Sequence, residues 1–160
     1  MPITSFAELL QAVRDLPAQR VAVAAANTEV VLAGVKAALE ADVATPVLVG
    51  NARTIATTAQ TVGLDLTGIE VVDEPDDLAA TRRAVAIVRE GRADILMKGQ
   101  IHTDDFLRAI LDAEKGLRAG VLMSHVFILE APGRPRLLFV TDGAMNIAPN
   151  LEQKAEIILN

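Results

Sequence analysis

Cysteine, tryptophan and tyrosine are all absent from this chain of 160 residues, and it contains only four phenylalanines. The lack of cysteine excludes a disulfide framework, a thiolate nucleophile and a cysteine-ligated zinc site. No apolar run approaches the ~20 residues that span a bilayer, and the N-terminal segment lacks the basic head and long apolar core of a secretory signal. These absences predict a cytoplasmic protein with no membrane segment.

Positive charge is also scarce, because 15 Lys and Arg face 21 Asp and Glu, for a formal net charge of −6. Proteins that bind nucleic acids need clustered Lys and Arg to contact the phosphate backbone, so we expect no nucleic-acid partner. A small anionic ligand is compatible with this composition, since it needs only a local positive site.

Apolar residues make up 51% of the chain, largely the small and branched types that suit buried parallel strands. Four short apolar runs predict strands at 20–26, 47–50, 69–73 and 94–98. Helical segments follow the first three: one capped by Asn27 or Thr28, one capped by Asn51 and ending near Gly63, and one opened by Asp76 or Asp77. Strands that alternate with helices predict βαβ units and a parallel sheet.

The pattern changes after a helix predicted at 104–113. Two apolar runs, at 121–130 and 136–142, are joined by a short segment rich in Pro and Gly, which predicts an antiparallel hairpin. The fold class is therefore α/β: a three-layer α/β/α arrangement with a mostly parallel sheet. We expect a first lobe at 1–118 and the beginning of a second lobe at 119–160.

Lys98 is the first candidate for chemistry, because a buried strand delivers it to its carboxyl end. Gly99 would let the backbone approach a neighbour closely, and the helix that starts at Thr103 or Asp104 could add its N-terminal amides to an anion site. A lysine suits phosphate or a developing oxyanion. The alternative is a solvated lysine followed by an ordinary threonine cap.

The two histidines, His102 and His125, are candidates for a general base near neutral pH. No carboxylate lies at a recognisable ligand spacing from them, so we predict no metal site. Ser124 and His125 are neighbours in a predicted strand and would face opposite sides, which weakens a Ser–His nucleophile. For each histidine taken alone, a hydrogen-bonded structural role is the more common one. A serine in a strand that faces a cleft favours a hydrogen-bond donor to ligand over a nucleophile.

A third candidate follows the last predicted strand, where Thr141, Asp142 and Asn146 flank Gly143. Asp142 offers an acceptor and Asn146 an amide, although an ordinary turn uses the same residue types. Dinucleotide, P-loop, nucleophile-elbow and zinc-protease signatures are all absent from the sequence.

Six segments form one colinear set: RVAVAAA (20–26), PVLVGN (46–51), ADILMKGQIHT (93–103), ILDAEKGLR (110–118), SHVFILEAPG (124–133) and LLFVTDGAMNIAPNLEQKAEIILN (137–160). This set resembles the phosphate acetyl/butyryltransferase family, most closely its phosphate butyryltransferase branch. The resemblance implies transfer of an acyl group between coenzyme A and inorganic phosphate. It implies no metal and no tightly bound cofactor, with coenzyme A as a substrate. It also implies a two-lobed fold like that of isocitrate and isopropylmalate dehydrogenases, with the site between the lobes.

The resemblance also implies roles for single residues. Lys98, Gly99 and Thr103 match the strand-end motif expected to contact phosphate oxygens, and His102 lies beside them. Arg108 matches, with a one-residue gap, an arginine expected to meet an anionic ligand. The remaining matches belong to the second lobe: Ser124 and His125 in the hairpin motif, and Thr141, Asp142 and Asn146 at the following junction. Of these, Lys98, His102, Ser124 and His125 are the predicted catalytic residues.

Members of that family continue well beyond the matching segments. On the resemblance we therefore expect the chain to correspond to an N-terminal half, with the return strands of its first lobe in the part that follows. Two hypotheses follow. The chain is an acyltransferase half that depends on a missing C-terminal half, or it is a non-catalytic module that binds phosphate or acyl phosphate or serves in assembly. Exposed sheet edges and apolar faces predict a homo-oligomer.

Overall fold

The computed structural model describes residues 2–14 and 16–160, which form two compact units. One unit is Leu16–Arg118, and the other combines residues 2–14 with Ala119–Asn160. The N-terminal helix α1 (Phe6–Val13) belongs to the second of these and not to the first lobe predicted at 1–118. A long-range contact holds it there, because the Phe6 amide donates to Glu130 Oε2 at 2.7 Å.

The unit Leu16–Arg118 contains a four-stranded sheet in which every neighbouring pair is parallel. Its strands are β1 (Gln19–Ala24), β2 (Ala44–Gly50), β3 (Glu70–Asp73) and β4 (Ile95–Lys98). The spatial order is β3-β2-β1-β4. Its helices are α2 (Glu29–Glu40), α3 (Ala52–Val62), α4 (Asp77–Arg89) and α5 (Thr103–Ile110). The α/β fold with a parallel sheet is therefore confirmed.

The core lies on both faces of this sheet, because successive strand residues point to opposite sides. Val23 and Leu48 pack on one face with Leu32 of α2 and Ile55 of α3. On the other face, Ala22, Ala24 and Val49 pack with Ala80, Ala84 and Ile87 of α4, joined by Phe106 of α5. The sheet is thus the middle of three layers.

Local signals set most helix limits. Asn51 and Asp76 accept backbone amides at the starts of α3 and α4, and Gly63 ends α3 with φ +67°, as predicted. The predicted helix at 104–113 is too long, since α5 ends at Ile110. The chain turns there because the Asp112 carboxylate accepts the amides of Glu114 and Lys115, at 2.9 and 2.8 Å.

The other unit contains the predicted antiparallel hairpin, formed by β5 (Val126–Leu129) and β6 (Leu138–Thr141), and the helix α6 (Leu151–Leu159). Both strands are shorter than predicted. Ser124 and His125 precede β5, so the argument that they face opposite sides of a strand was wrong. Within the described part of the chain, no helix has the length and apolar character needed to cross a membrane.

Candidate functional site

The order in which the chain adds strands to the parallel sheet reverses between β1 and β4. The chain runs outward from β1 through β2 to β3, and then returns to place β4 on the free side of β1, with Ala24 paired to Lys98. Ligands of open α/β sheets bind in the crevice outside the carboxyl ends of the strands at such a switch point. The strand-end segment identified in the sequence therefore follows β4 at the position where this architecture forms sites.

Lys98 is the last residue of β4, and its side chain is exposed. Among residues 2–14 and 16–160, no carboxylate lies within 4.0 Å of its ammonium nitrogen. Its charge is therefore not committed to an ion pair with the described residues. A lysine in this state can bind an anion without first breaking an internal contact.

Gly99 has a structural reason to lack a side chain. A methyl group at this position would overlap the carbonyl oxygens of Ala24 and Ala25. The next residue continues the contact, because the Gln100 amide donates to the Ala25 carbonyl at 3.0 Å. Gly99 therefore makes its predicted close backbone contact with the end of β1. This contact fixes the position of the loop between Lys98 and the start of α5.

The N-terminus of α5 lacks a capping side chain. His102 occupies the cap position in extended conformation, and its side chain makes no cap hydrogen bond. The first-turn amides that begin at Thr103 are therefore available to an anion. Two carboxylates in the same turn oppose an anion: Asp105 pairs with Arg108 at 3.1 Å, and Asp104 is exposed. In α3 and α4, by contrast, a capping side chain accepts a first-turn amide: Asn51 accepts the Thr54 amide, and Asp76 accepts the Ala79 amide.

Arg108 contacts a groove beside α5. Besides its pair with Asp105, it lines this groove of about 980 Å³ between α4 and α5, together with Arg82, Arg89 and Lys115. Four carboxylates line the same groove and balance these charges: Glu90, Asp105, Asp112 and Glu114. Neither Lys98 nor Thr103 lines that groove. The structure therefore groups Lys98, Gly99, His102 and Thr103 at one site and leaves Arg108 on a neighbouring surface.

The second group of candidates lies in the other unit and is organised by Asp142. Its carboxylate accepts the amides of Met145 and Ala144, at 3.0 and 3.2 Å, and the side-chain amide of Asn146. The pKa of the Asp142 carboxyl is held below its ordinary value, chiefly by the Met145 amide, then by the Ala144 amide, the Asn146 side chain and the His125 amide. Asn146 also donates to the Met123 carbonyl at 3.0 Å, which ties this turn to the segment before β5.

Ser124 and His125 lie in that same segment. The Ser124 hydroxyl accepts a hydrogen bond from Asn160 Nδ2 at 3.0 Å. The His125 ring packs edge-on against Phe127, with ring centroids 4.0 Å apart, and its Nδ1 is buried without a hydrogen-bond partner among the described residues. Thr141, which pairs with Val126 at the end of the hairpin, is exposed. Ser124, His125, Asp142 and Asn146 are thus brought together within this unit.

Two asparagines, one in each unit, make contacts near the candidate residues that the sequence does not predict. Asn160 contacts Ser124, and Asn27 links the turns after β1 and β2 through its side chain. Asn27 was considered only as a helix cap, whereas Thr28 is the cap residue of α2. A polar residue directly after a buried strand was the available signal for Asn27. Over the described residues, no cluster of three or more His, Cys, Asp or Glu is arranged to hold a metal ion.

Comparison with known proteins identifies the group to which this architecture belongs. Residues 5–82 and 77–160 match the family described as phosphate acetyl/butaryl transferase. The chain belongs to this family. The resemblance seen in the sequence motifs is thereby confirmed.

Individual members of the family align over most of the chain. The phosphate butyryltransferase of Clostridium beijerinckii is 44% identical over 98% of the chain, and the phosphate acetyltransferase of Rhizobium meliloti is 42% identical over 82% of it. The crystal structure of a branched-chain phosphotransacylase from Enterococcus faecalis superposes with a TM-score of 0.70 at 30% identity, over 89% of the chain. The aligned part is 52%, 42% and 49% of those proteins, respectively, so the chain spans about half the length of its relatives.

Proposed function

We propose that the chain contributes to phosphate acyl transfer, in which acyl-coenzyme A and inorganic phosphate give acyl phosphate and coenzyme A. One observation carries the proposal: at the switch point of the sheet, Lys98 has no ion-pair partner among the described residues, and the adjacent start of α5 has no side-chain cap. An unpaired cation beside free helix amides favours phosphate. Membership of the family supplies the reaction.

In this proposal Lys98, Thr103 and the first amides of α5 bind phosphate. A phosphate oxygen attacks the thioester carbonyl, a tetrahedral oxyanion forms, and its collapse expels the coenzyme A thiolate, which takes up a proton. In the reverse direction the thiolate attacks the carbonyl of the acyl phosphate. Lys98 stabilises the negative charge in both directions, which is the usual source of the largest catalytic effect. His102, the residue before Thr103, is proposed as a proton donor or acceptor beside the phosphate.

Ser124 and His125 are proposed to contact the reacting acyl group, with Thr141 contributing its exposed hydroxyl. We assign Asp142 and Asn146 a supporting part in substrate binding, because their hydrogen bonds already fix the turn around them. Arg108 is proposed to contact an anionic portion of coenzyme A, from the groove between α4 and α5.

Acyl-coenzyme A and phosphate are the proposed substrates, and no tightly bound cofactor is invoked. We place the reaction in the cytoplasm and propose a homo-oligomer as the working form. Since the chain spans about half the length of its relatives, residues beyond this segment are proposed to complete the site.

The decisive experiment measures thiol release from acetyl- and butyryl-coenzyme A in the presence of phosphate, for the chain alone and with the C-terminal half of a relative. Lys98→Ala is expected to lower the rate by at least roughly 100-fold, the scale on which removing one charge-stabilising group acts. Lys154→Ala is the matched control, because it removes an exposed lysine of α6. An equal loss in both variants, or none in Lys98→Ala, would contradict the proposal.

The alternative function is a module that binds phosphate without turnover, which the unpaired Lys98 and the uncapped start of α5, as seen among the described residues, support equally. It predicts no thiol release with or without the added half. Phosphate would nevertheless shift the amide resonances of 98–103, and Lys98→Ala would abolish that shift.

A further inference from the structure

The turn after β1 holds a conformation that its sequence does not favour. Ala25 has φ +51°, in the left-handed region, which is unfavourable for a residue with a side chain. The turn is also fully buried, since Ala24, Ala25 and Ala26 each expose 0% of their surface. Contacts around the turn must therefore hold it in place.

Asn27 supplies side-chain contacts on one side of this turn. Its Oδ1 accepts the Asn51 amide at 3.0 Å, and its Nδ2 donates to Asp77 Oδ1 at 2.8 Å. Asn51 follows β2 and Asp77 begins α4, so a single side chain links three strand–helix junctions. Space is tight here as well, because a methyl group at Gly50 would overlap the Asn27 amide oxygen.

The opposite side of the same turn contacts the loop of the candidate site. The Ala25 carbonyl accepts the Gln100 amide at 3.0 Å, and Gly99 packs directly on the carbonyl oxygens of Ala24 and Ala25. The backbone of Ala26 is anchored between the two sides, since its amide donates to the Val49 carbonyl at 3.0 Å. Asn27 and the loop 99–102 are therefore joined through two buried residues of backbone.

We propose that Asn27 is a positioning residue for the phosphate site: it holds the left-handed turn at Ala25, which in turn fixes the loop between Lys98 and Thr103. The inference rests on the proposed function for its consequence in phosphate binding. Its structural part, the position of residues 99–101, can be measured independently.

The Asn27–Asp77 pair allows a charge-swap test. Asn27→Asp sets two carboxylates against each other and removes the donor, whereas Asp77→Asn leaves an acceptor for the Asn27 amide. The double variant N27D/D77N restores a hydrogen bond of reversed polarity, and the carboxylate at position 27 still accepts the Asn51 amide. Ile87→Val is the matched control, because it loosens the buried face of α4 away from the turn.

The measurements are amide resonances of Gly99, Gln100 and Ile101, phosphate affinity by titration, and the urea midpoint. We expect N27D to shift these resonances and to weaken phosphate binding by about 10-fold or more, the effect of losing one hydrogen bond to a charged group. The phosphate affinity of D77N should remain within about 3-fold of that of the wild type, and so should that of the double variant. Both variants keep a hydrogen bond between the side chains at positions 27 and 77. Ile87→Val should lower the urea midpoint without changing the three resonances or the affinity.

Unchanged resonances in N27D, failure of the double variant to restore them, or an equal effect in Ile87→Val would overturn the proposal. If N27D does not fold, Asp77→Ala removes the acceptor alone, and it must shift the same three resonances for the proposal to stand. Failure of the proposed function has a different signature: phosphate would leave the resonances of 98–103 unchanged in the wild type, while the effect of N27D on the loop would persist.

Discussion

Gly99 lies directly against the carbonyl oxygen of Ala25, so closely that a methyl group on Gly99 would overlap it. This contact joins the end of β4 to the end of β1, the two strands that flank the switch point of the sheet. The loop that carries the candidate phosphate ligands is therefore packed against backbone that is itself buried.

Gly99→Ala is expected to lower the free energy of unfolding by about 1–3 kcal/mol, because the added methyl group must displace backbone atoms. Phosphate binding should weaken with it, since the loop before Thr103 moves. Urea unfolding gives the stability change. Gly34→Ala in α2 is the control: its methyl group would meet only Met97 Cε, at 3.9 Å, and helix propensity favours it by up to ~1 kcal/mol. Equal stability of the two variants would contradict the proposed close packing.

Local signals explain which elements the sequence predicted well. The helix α3 begins at Asn51 and ends before Gly63, and both residues act through hydrogen bonds or backbone preference within a few positions of themselves. The strands β1 and β2 were visible as apolar runs because most of their residues are buried, which leaves no polar alternation. The outer strands β3 and β4 have no fully buried residue and were visible only as short apolar segments between turn residues.

Tertiary contacts explain what the sequence did not predict. Nothing in three consecutive alanines indicates that Ala25 adopts a left-handed conformation, which depends on Gln100 and on the contacts of Asn27. The placement of α1 depends on Glu130, more than a hundred residues away. Lys98 and Thr103 were found because they follow one strand, whereas their relation to β1 required the sheet order.

Asp142→Asn should alter how stability depends on pH in the unit that contains Asp142, which combines residues 2–14 with Ala119–Asn160. The amides of Met145 and Ala144 hold the pKa of Asp142 below its ordinary value, about 3.9 for a free aspartate. A depressed pKa contributes stability that is present above the ordinary pKa and is lost as the pH falls through the folded-state pKa. The difference in urea midpoint between wild type and variant should therefore be largest near neutral pH and shrink below about pH 4.

Asp104→Asn is the control for that comparison, because the Asp104 side chain makes no hydrogen bond or ion pair within 2–14 and 16–160. It is measured beside Asp142→Asn as a carboxylate-to-amide change that removes no hydrogen bond. A difference for Asp142→Asn that grows towards acid would contradict the assigned direction of the pKa.

The hairpin of β5 and β6 is expected to take part in self-association. Its strands expose apolar side chains, including Phe139 at 67%, and a two-stranded sheet is marginally stable without further packing. Phe139→Glu should shift the chain towards monomer, as measured by size-exclusion chromatography with light scattering over a range of concentrations. Val30→Glu is the control, since Val30 is 83% exposed on α2 and lies outside the hairpin. A wild type that is monomeric at every concentration would refute this expectation.

Thr103→Val tests whether the hydroxyl at the start of α5 contacts phosphate. Valine keeps the shape of threonine but cannot hydrogen-bond, and Thr103 is exposed, so the free energy of unfolding should be unchanged within about 0.5 kcal/mol. Losing one hydrogen bond to a charged ligand should weaken phosphate binding by roughly 10- to 100-fold. The control, Thr61→Val in α3, removes a hydroxyl that donates only to the Thr57 carbonyl, at 3.3 Å, and should leave binding intact. If Thr103→Val bound phosphate like the wild type while Lys98→Ala did not, the anion would be held by the lysine and backbone amides alone, and the hydroxyl would have no part in the site.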